Sequence, residues 1–584
     1  MTASRRSTSR SWRDGRSSAA RSRHAGSAGA DRAGRRGRPG HRPRHPVAGS
    51  VAHVHPPVTV RAHDRRSVVT VRTAVVEVGN TACRVVVAET AGGGWFDVVA
   101  ERTVVLGLER AVRRDGQLGA GLLQLTAETL RRLREVAFRS GARQLVATVG
   151  AVLERAADAE ELHALAAEAL GTPLRVLDTQ RTAQATVTAV RRRLGWTGPL
   201  AILEPTDHHL RLTVQADPGA AVGPSAGCLE VHEPAAGLRD LLPTGTVDPL
   251  HPAALGAFRH RLDAATEDLP RRPGGARWLV LAGPSAEVLG RAAAGRRFGD
   301  DPPHPDGLRL SAHALTELES ELLRTSQTQR LLLPGVDPAD VDLVAATLLA
   351  VRHVVERLEV DGVVVTTVGM LEGLLIQHLG LPPPQDLRDA SIGAHGSPHG
   401  DHIAGLAGQL FDQLHDHLDV VLDADDRALL VAASRLHEVG GDDREAAAHR
   451  RGARQLLTAG LPGVGPTELV ELASLVRFRT GRAPGGHFAP YGRLAARRRR
   501  ALAALTGLLR LACGLDRGHD GAVLGVHVEV DPDLVCVHAL GGEAAELDLA
   551  LHGARAQIRV VGGLLGRPLV VRAAAVRGWS PVTA

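Results

Sequence analysis

The chain changes texture once, sharply, near residue 71. Before that point apolar residues recur with no period; after it, β-branched runs alternate with stretches of Leu and Ala at helical spacing. "TAVVEVGNTACRVVVAET" followed by "FDVVAERTVVLGL" predicts a hairpin of buried strands broken by Gly and Asn, and a long helix at about 120–140 comes next. Short strands "QLVATVG", "LRVLD" and "LAILEP" then alternate with the helical runs "AEELHALAAEAL" and "RTAQATVTAVRRRL", the pattern of a helix-covered α/β sheet. From about 196 to 385 the scheme repeats, opening with "PLAILEPTDHHLRLTVQ" and continuing through "RWLVLAG" and "DGVVVTTVG". Two such halves predict a duplicated fold with a cleft between them, where ligands usually sit.

A Pro-, Gly- and His-rich stretch at about 386–400 predicts a linker, after which the pattern is almost wholly helical. A last α/β piece contains "AVLGVHVEV" and "ELDLALHGARAQIRVVGGLLGRPLVV". The expected organisation is a tail over 1–70, one α/β half over 71–195, a second over 196–390, a helical domain over 395–515 and a small α/β domain over 520–580.

Charge separates the tail from the rest. Residues 1–70 hold sixteen Arg against Asp14, Asp31 and Asp64, a net +13; with +6 for the whole chain, the remainder carries −7. An Arg-, Ser-, Gly- and Pro-rich run without apolar period cannot offset the entropy of ordering, so this tail is expected to be disordered. It would meet nucleic acid or polyphosphate through counterion release; the plain alternative is a solvated or untranslated extension, with Val71 as the start in a high-GC bacterial gene. "SRRSTSRSW" has a twin-Arg look, but no apolar run of signal length follows, no stretch of eighteen apolar residues occurs, and Cys83, Cys228, Cys513 and Cys536 lie far apart. A cytoplasmic protein that spans no membrane is the expectation.

The order of segments resembles the Ppx/GppA phosphatase family of exopolyphosphatases and guanosine-pentaphosphate phosphohydrolases, over roughly residues 71–577. The likeness rests on "LGLERAVRRDGQLGAGLLQLTAETLRRLREVAFRSG", on "TQRLLLPGVDPADVDLVAATLLAV", and on the Glu372-Gly373 pair of "VGMLEGLL". "RLHEVGG" and "AGLPGVGPTELVELASLVRFR" resemble the HD-like third domain of longer exopolyphosphatases. The resemblance implies an α/β, duplicated actin-like (sugar-kinase-like) ATPase fold with a cleft, then a helical HD-like domain and a small C-terminal α/β domain. It also implies release of terminal phosphate with Mg²⁺.

Set against the family's motifs, the chemistry is largely replaced. The first hairpin, Asp-x-Gly-Ser-Asn-Ser in the family, reads Glu77-Val78-Gly79-Asn80-Thr81-Ala82 with Arg84 retained after it. The resemblance makes Glu77 a catalytic and metal-holding carboxylate and Gly79, Asn80, Thr81 and Arg84 phosphate binders; a plain hairpin turning at Gly79-Asn80 accounts for the same residues. The second phosphate loop, Asp-x-Gly-Gly-Gly-Ser, is replaced by "ILEPTDHHL", with Leu203 for the Asp, Pro205 among the lost glycines, and the bulk and charge of Thr206, Asp207 and His208. The general base falls on Arg181 and Thr182, and the phosphoryl-binding Arg on Val152 or Glu154 with Arg155 adjacent.

Gly283 and Ser285 remain as a partial third phosphate loop. In the helical domain His437-Glu438 stands for the His-Asp metal pair, with His399, His402 and His449 loosely placed; a spacer or dimerisation domain is the blander reading. Arg477, Arg479, Arg482 and Arg497 to Arg500 are candidates for a polyanion groove or a solvated helix face. The expectation is therefore a phosphatase-like protein with impaired hydrolysis, or a non-catalytic sensor or scaffold. Its ligand would be polyphosphate or a guanosine nucleotide, its cofactor Mg²⁺ if active, and a homodimer is a further expectation.

Overall fold

The structure is a computed structural model. It describes residues 72–575 except 93–94, 207–208, 217–228, 235–236, 242–251, 300, 334–335, 337–340, 342, 382–385, 442–444, 446 and 543. The Arg-rich tail, Asp207 and His208 therefore lie outside the described residues.

Two mixed sheets form the α/β part. The first runs β3 (Trp95–Val105), β2 (Ala82–Gly92), β1 (Arg72–Val78), β4 (Gln144–Val149), β5 (Leu174–Val176). β1–β2 and β2–β3 pair antiparallel, β1–β4 and β4–β5 parallel. The second contains β6 (Leu200–Pro205), β7 (Leu210–Gln215), β8 (Leu229–His232), β9 (Leu279–Leu281), β10 (Arg309–Ser311) and β11 (Gly362–Val365), in the order β10-β11-β9-β6-β7-β8. Read outward from β6, it repeats the first sheet: β7 and β8 antiparallel on one side, β9 and β11 parallel on the other, plus the antiparallel edge strand β10. This is the duplicated actin-like ATPase fold, and the repetition is read directly from strand order.

Each first strand is buried on both faces. Ala74, Val76 and Val78 of β1 enter a core with Leu123, Leu130 and Leu133 of the helix Ala120–Arg139. Val75 faces the other way, into a core shared by both halves with Ile202, Val280, Leu371 and Leu375. Helices Thr179–Leu194 and Met370–His378 cross within this shared core, and the crossing is close because of Gly373. A Cβ there would stand 1.9 Å from the carbonyl oxygen of Ala185, so the glycine of the Glu372-Gly373 pair serves backbone approach.

The rest of the chain is a helical domain whose long members include Pro398–Leu414, Ala424–Arg435, Pro466–Phe478 and Ala496–Leu515. A third sheet follows, β12 (Val523–Val530), β13 (Val535–Gly541) and β14 (Leu569–Ala575), with the helix Ala544–Leu565 between β13 and β14. One apolar core runs continuously from the second sheet through these helices to the third sheet. The two parts are tied through the backbone of Arg193 and His304. Arg193 pairs with Asp306, its carbonyl accepts from the amide of Gly463 (3.2 Å), and the amide of His304 donates to the carbonyl of Leu457 (2.6 Å). Asp306 also accepts from the Thr366 hydroxyl (3.0 Å) and the Thr367 amide (2.6 Å). Burial alone would raise the carboxyl; Arg193, His304 and the Thr367 amide outweigh it and bring it down to about 2. Among the described residues no helix is long and apolar enough to cross a membrane.

Candidate functional site: the cleft and the helical-domain cluster

Strand period places the first group of residues. Glu77 follows Val75 by two positions and Glu204 follows Ile202 by two, so each carboxylate lies on the face turned to the other half. Each sits opposite an arginine on the next strand: Glu77 pairs in register with Arg84, and Glu204 with Arg211. The same Glu–Arg rung thus occurs in both halves, with the same seven-residue spacing.

Around these rungs the charges alternate. Arg84 bonds Glu101 at 2.8 Å and lies 3.5 Å from Glu372, whose other oxygen accepts from the Gly369 amide at 2.8 Å. Arg211 lies 3.5 Å from Glu204 and bonds Glu233 at 3.0 Å. Thr186 donates to Glu204 (3.2 Å) and Thr179 to Glu233 (3.3 Å). Burial pushes the Glu77 carboxyl up, Arg84 and Arg211 oppose the rise, and Glu372 adds to it. Burial likewise raises Glu204 against the pull of Arg211. Both cleft arginines are therefore already neutralised by carboxylates of the chain itself.

The other residues singled out in the sequence are scattered around this lattice. In the first turn the Gly79 amide donates to the Ala82 carbonyl (3.0 Å), while the Asn80 and Thr81 carbonyls accept from Glu109 (2.7 Å), Leu106 and Gly107. The Asn80 Oδ1 is buried without a hydrogen-bond partner, and a Cβ on Gly150 would lie 2.7 Å from it. Arg155 is exposed at the end of the short turn Leu153–Arg155, and neighbouring Glu154 bonds His163 at 2.7 Å. Leu203 is fully buried, and Thr206 closes a turn onto the His209 carbonyl (2.9 Å). Gly283, at φ 87°, opens the helix Pro284–Phe298, with half-buried Ser285 in its first turn. Asp178 caps the helix Thr179–Leu194 by accepting from the Arg181 amide at 2.7 Å, and the Thr182 hydroxyl donates to its carbonyl at 2.9 Å.

Arg181 lines a cavity of about 310 Å³ beside β4 and β5, with Arg175, Thr148, Gln184, Gln377 and His378, and lies 3.6 Å from the Asp178 carboxylate. Burial, and then Arg175, lowers the His378 pKa.

A Mg²⁺ of the kind the resemblance implies would meet a half-buried Glu77 whose carboxyl burial pushes up, with Arg84 already opposite it in register, a poor fit for a hard divalent cation.

The helical domain gathers what the sequence left loose. His399 Nδ1 lies 3.3 Å from Glu438 and its Nε2 3.3 Å from Asp516. His402 reaches Asp516 at 3.7 Å and His519 reaches Glu438 at 3.8 Å. The His399 and His519 rings stack at 3.7 Å, and His437 stands 5.1 Å from His399. His437 is wholly buried; its Nδ1 donates to the Ser434 carbonyl (2.7 Å) and its Nε2 has no hydrogen-bond partner. Burial, with Arg479 next, brings its pKa down to about 3. Burial works against the charge on His399, but Asp516 and Glu438 raise it to about 9; for Glu438 burial is outweighed by His399, giving about 2. A protonated imidazole between two carboxylates holds the place a cation would take, and the atoms offered by His399, Glu438 and His519 lie within 4.8 Å of one another.

His449 is not in the cluster; it lies among Arg477, Arg450 and Arg510. Of the arginines expected to line a groove, Arg479 is buried, Arg498 is held by Glu471 (2.6 Å) and Asp426, and Arg499 donates to the Gly492 carbonyl (2.9 Å), while Arg482, Arg497 and Arg500 are exposed. Sequence reading missed Glu204, Arg211, Asp516 and His519. The repeated Glu-x₆-Arg spacing was a signal for the first two.

Two halves of matching strand order, followed by a helical domain with a His/Glu/Asp cluster, define the class: a duplicated actin-like fold with a helical C-terminal domain. Residues 396–533 match the family model Ppx/GppA phosphatase, domain III. It is similar to an uncharacterized protein of Streptomyces coelicolor, 27% identical over 318 residues, 53% of this chain and 90% of that one. Among solved structures it is similar to the Aquifex aeolicus Ppx/GppA family member (17% identity, 53% of this chain and 98% of the other, TM-score 0.46). Another is an exopolyphosphatase from Cytophaga hutchinsonii (14%, 54% and 100%, TM-score 0.43).

Proposed function

We propose that the chain is a Ppx/GppA phosphatase-like protein that binds a phosphate-rich ligand, polyphosphate or a guanosine nucleotide, without hydrolysing it in the α/β cleft. The observation that carries this reading is the pairing of Arg84 and Arg211 with Glu101, Glu372, Glu204 and Glu233. A polyanion entering there meets carboxylates rather than unpaired guanidiniums, and the base position holds Arg181. Loss of a positioned base alone costs about 10²- to 10⁴-fold. The cavity beside β4 and β5, with Arg175 and Arg181 in its lining, suits an anion instead.

The cluster around His399 favours a second centre, in domain III. His399, Glu438, His519 and Asp516 form an imidazole–carboxylate set suited to a divalent transition metal. Such an ion, when bound, supplies a water of lowered pKa. The chain's part is positional: Ser397 donates to Glu438 (2.9 Å) and the Gly521 amide to Asp516 (3.0 Å), fixing both carboxylates.

The test is phosphate release from long-chain polyphosphate and guanosine pentaphosphate by the full chain with Mg²⁺, beside a titration with polyphosphate. Binding without release is expected, and Arg181→Glu should weaken it. Turnover abolished by Glu77→Ala would overturn the reading, whereas turnover abolished only by Glu438→Ala would assign hydrolysis to domain III.

A further inference from the structure

The third sheet carries a group of residues that neither centre uses. In β12 and β13 the sequence reads His527-Val528-Glu529 and Cys536-Val537-His538, two metal-binding residue types per strand at alternate positions. Register sets Glu529 opposite Cys536 and His527 opposite His538. Because alternate side chains share a face, all four lie on the face opposite Val528, Val535 and Val537, which pack on the core. Cys536 is only 5% exposed, yet it belongs to none of the apolar clusters. On that face Cys536 Sγ lies 3.4 Å from His538 Nε2, which lies 3.2 Å from Glu529 Oε2, while on its other side Cys536 stands in register with half-buried Val570 of β14. The His527 and His538 rings stand 6.1 Å apart.

We infer that this face of the β12–β13 hairpin is a zinc-type metal site made by Cys536, His538 and Glu529. Ligand bonds of about 2.0–2.3 Å in tetrahedral array separate neighbouring donor atoms by roughly 3.3–3.6 Å. The two spacings found, 3.4 and 3.2 Å, are close to those edges, and the three donors lie within 4.8 Å of one another. Thiolate, imidazole and one carboxylate select a borderline-soft cation such as Zn²⁺ over Mg²⁺ or Ca²⁺. Binding forms the Sγ–metal bond and releases the thiol proton to solvent. The fourth position falls to His527 or to water, and the ion clips β12 to β13 one rung in from the last pair before the turn, Val530–Val535.

The experiment is a titration of the chelator-treated full chain with Co²⁺, followed by displacement with Zn²⁺. A thiolate-to-cobalt charge-transfer absorption is expected, lost in Cys536→Ser and kept in Cys513→Ser. His538→Gln, at a partly exposed position, should weaken Zn²⁺ binding at least tenfold with far-ultraviolet circular dichroism unchanged, and serves if Cys536→Ser misfolds. An absent thiolate band, or one that survives both Cys536→Ser and His538→Gln, overturns the inference. Glu438→Ala separates this site from the domain III centre, because it removes a metal equivalent there and leaves the thiolate band intact.

Discussion

The α/β cleft and the domain III cluster solve opposite electrostatic problems with similar residues. In the cleft every carboxylate on the rungs meets a guanidinium, a group that stays charged at any ordinary pH, so the lattice closes on itself. In domain III the carboxylates meet imidazoles, which give up a proton and then offer a lone pair. A cleft closed by Arg–Glu pairs has little left for a ligand, whereas His–Glu pairs exchange a proton for a cation. The difference separates a charge lattice that is closed on itself from one that can exchange a proton for a cation, and a fold alone would not have separated them.

The largest expected effect lies in the cleft. Arg211→Met leaves Glu204 buried without its partner and should cost about 3–5 kcal/mol by urea unfolding. The double change Glu204→Leu with Arg211→Met should recover most of that; equal losses in single and double variants would show that the rung is not a coupled pair. Next, Glu438→Ala should weaken Mn²⁺ or Zn²⁺ binding at domain III by roughly 100-fold in calorimetry, while Arg211→Met leaves it unchanged. A loss shared by both variants would erase the distinction between the regions.

Smaller is the pH effect at Asp306, within the α/β part. The Asp306 carboxyl is depressed to about 2, so its contribution is fully present above the unfolded value near 4 and disappears as pH falls toward 2. About 2 kcal/mol of stability should be lost over that window in the wild type and not in Asp306→Asn. Smallest, Arg181→Ala should reduce polyphosphate affinity about tenfold with a shallower salt dependence, and an unchanged affinity would remove the cavity from the argument.

Much of the fold was legible because it depends on period. The alternation in "TAVVEV" and "PLAILEP" fixes strands, and the repeated order of strands and helices announces two halves. Glu77 was legible for the same reason, standing in a recognisable hairpin. Glu204 was not: its meaning depends on register with Arg211 and on which face meets the other half, and a single strand states neither. The domain III cluster was less accessible still. His399, Glu438 and the Asp516–His519 turn come from three separate places in the helical domain, and helix packing decides whether such residues meet.

The two backbone hydrogen bonds that join the parts, from His304 to Leu457 and from Gly463 to Arg193, cannot be removed by exchanging a side chain. Together with the apolar core that runs on from the second sheet into the helices, they deny either part a boundary at which it can come apart alone. On heating, the second α/β half and domain III should therefore melt in one cooperative step, and a ligand held by one should raise the melting temperature of both.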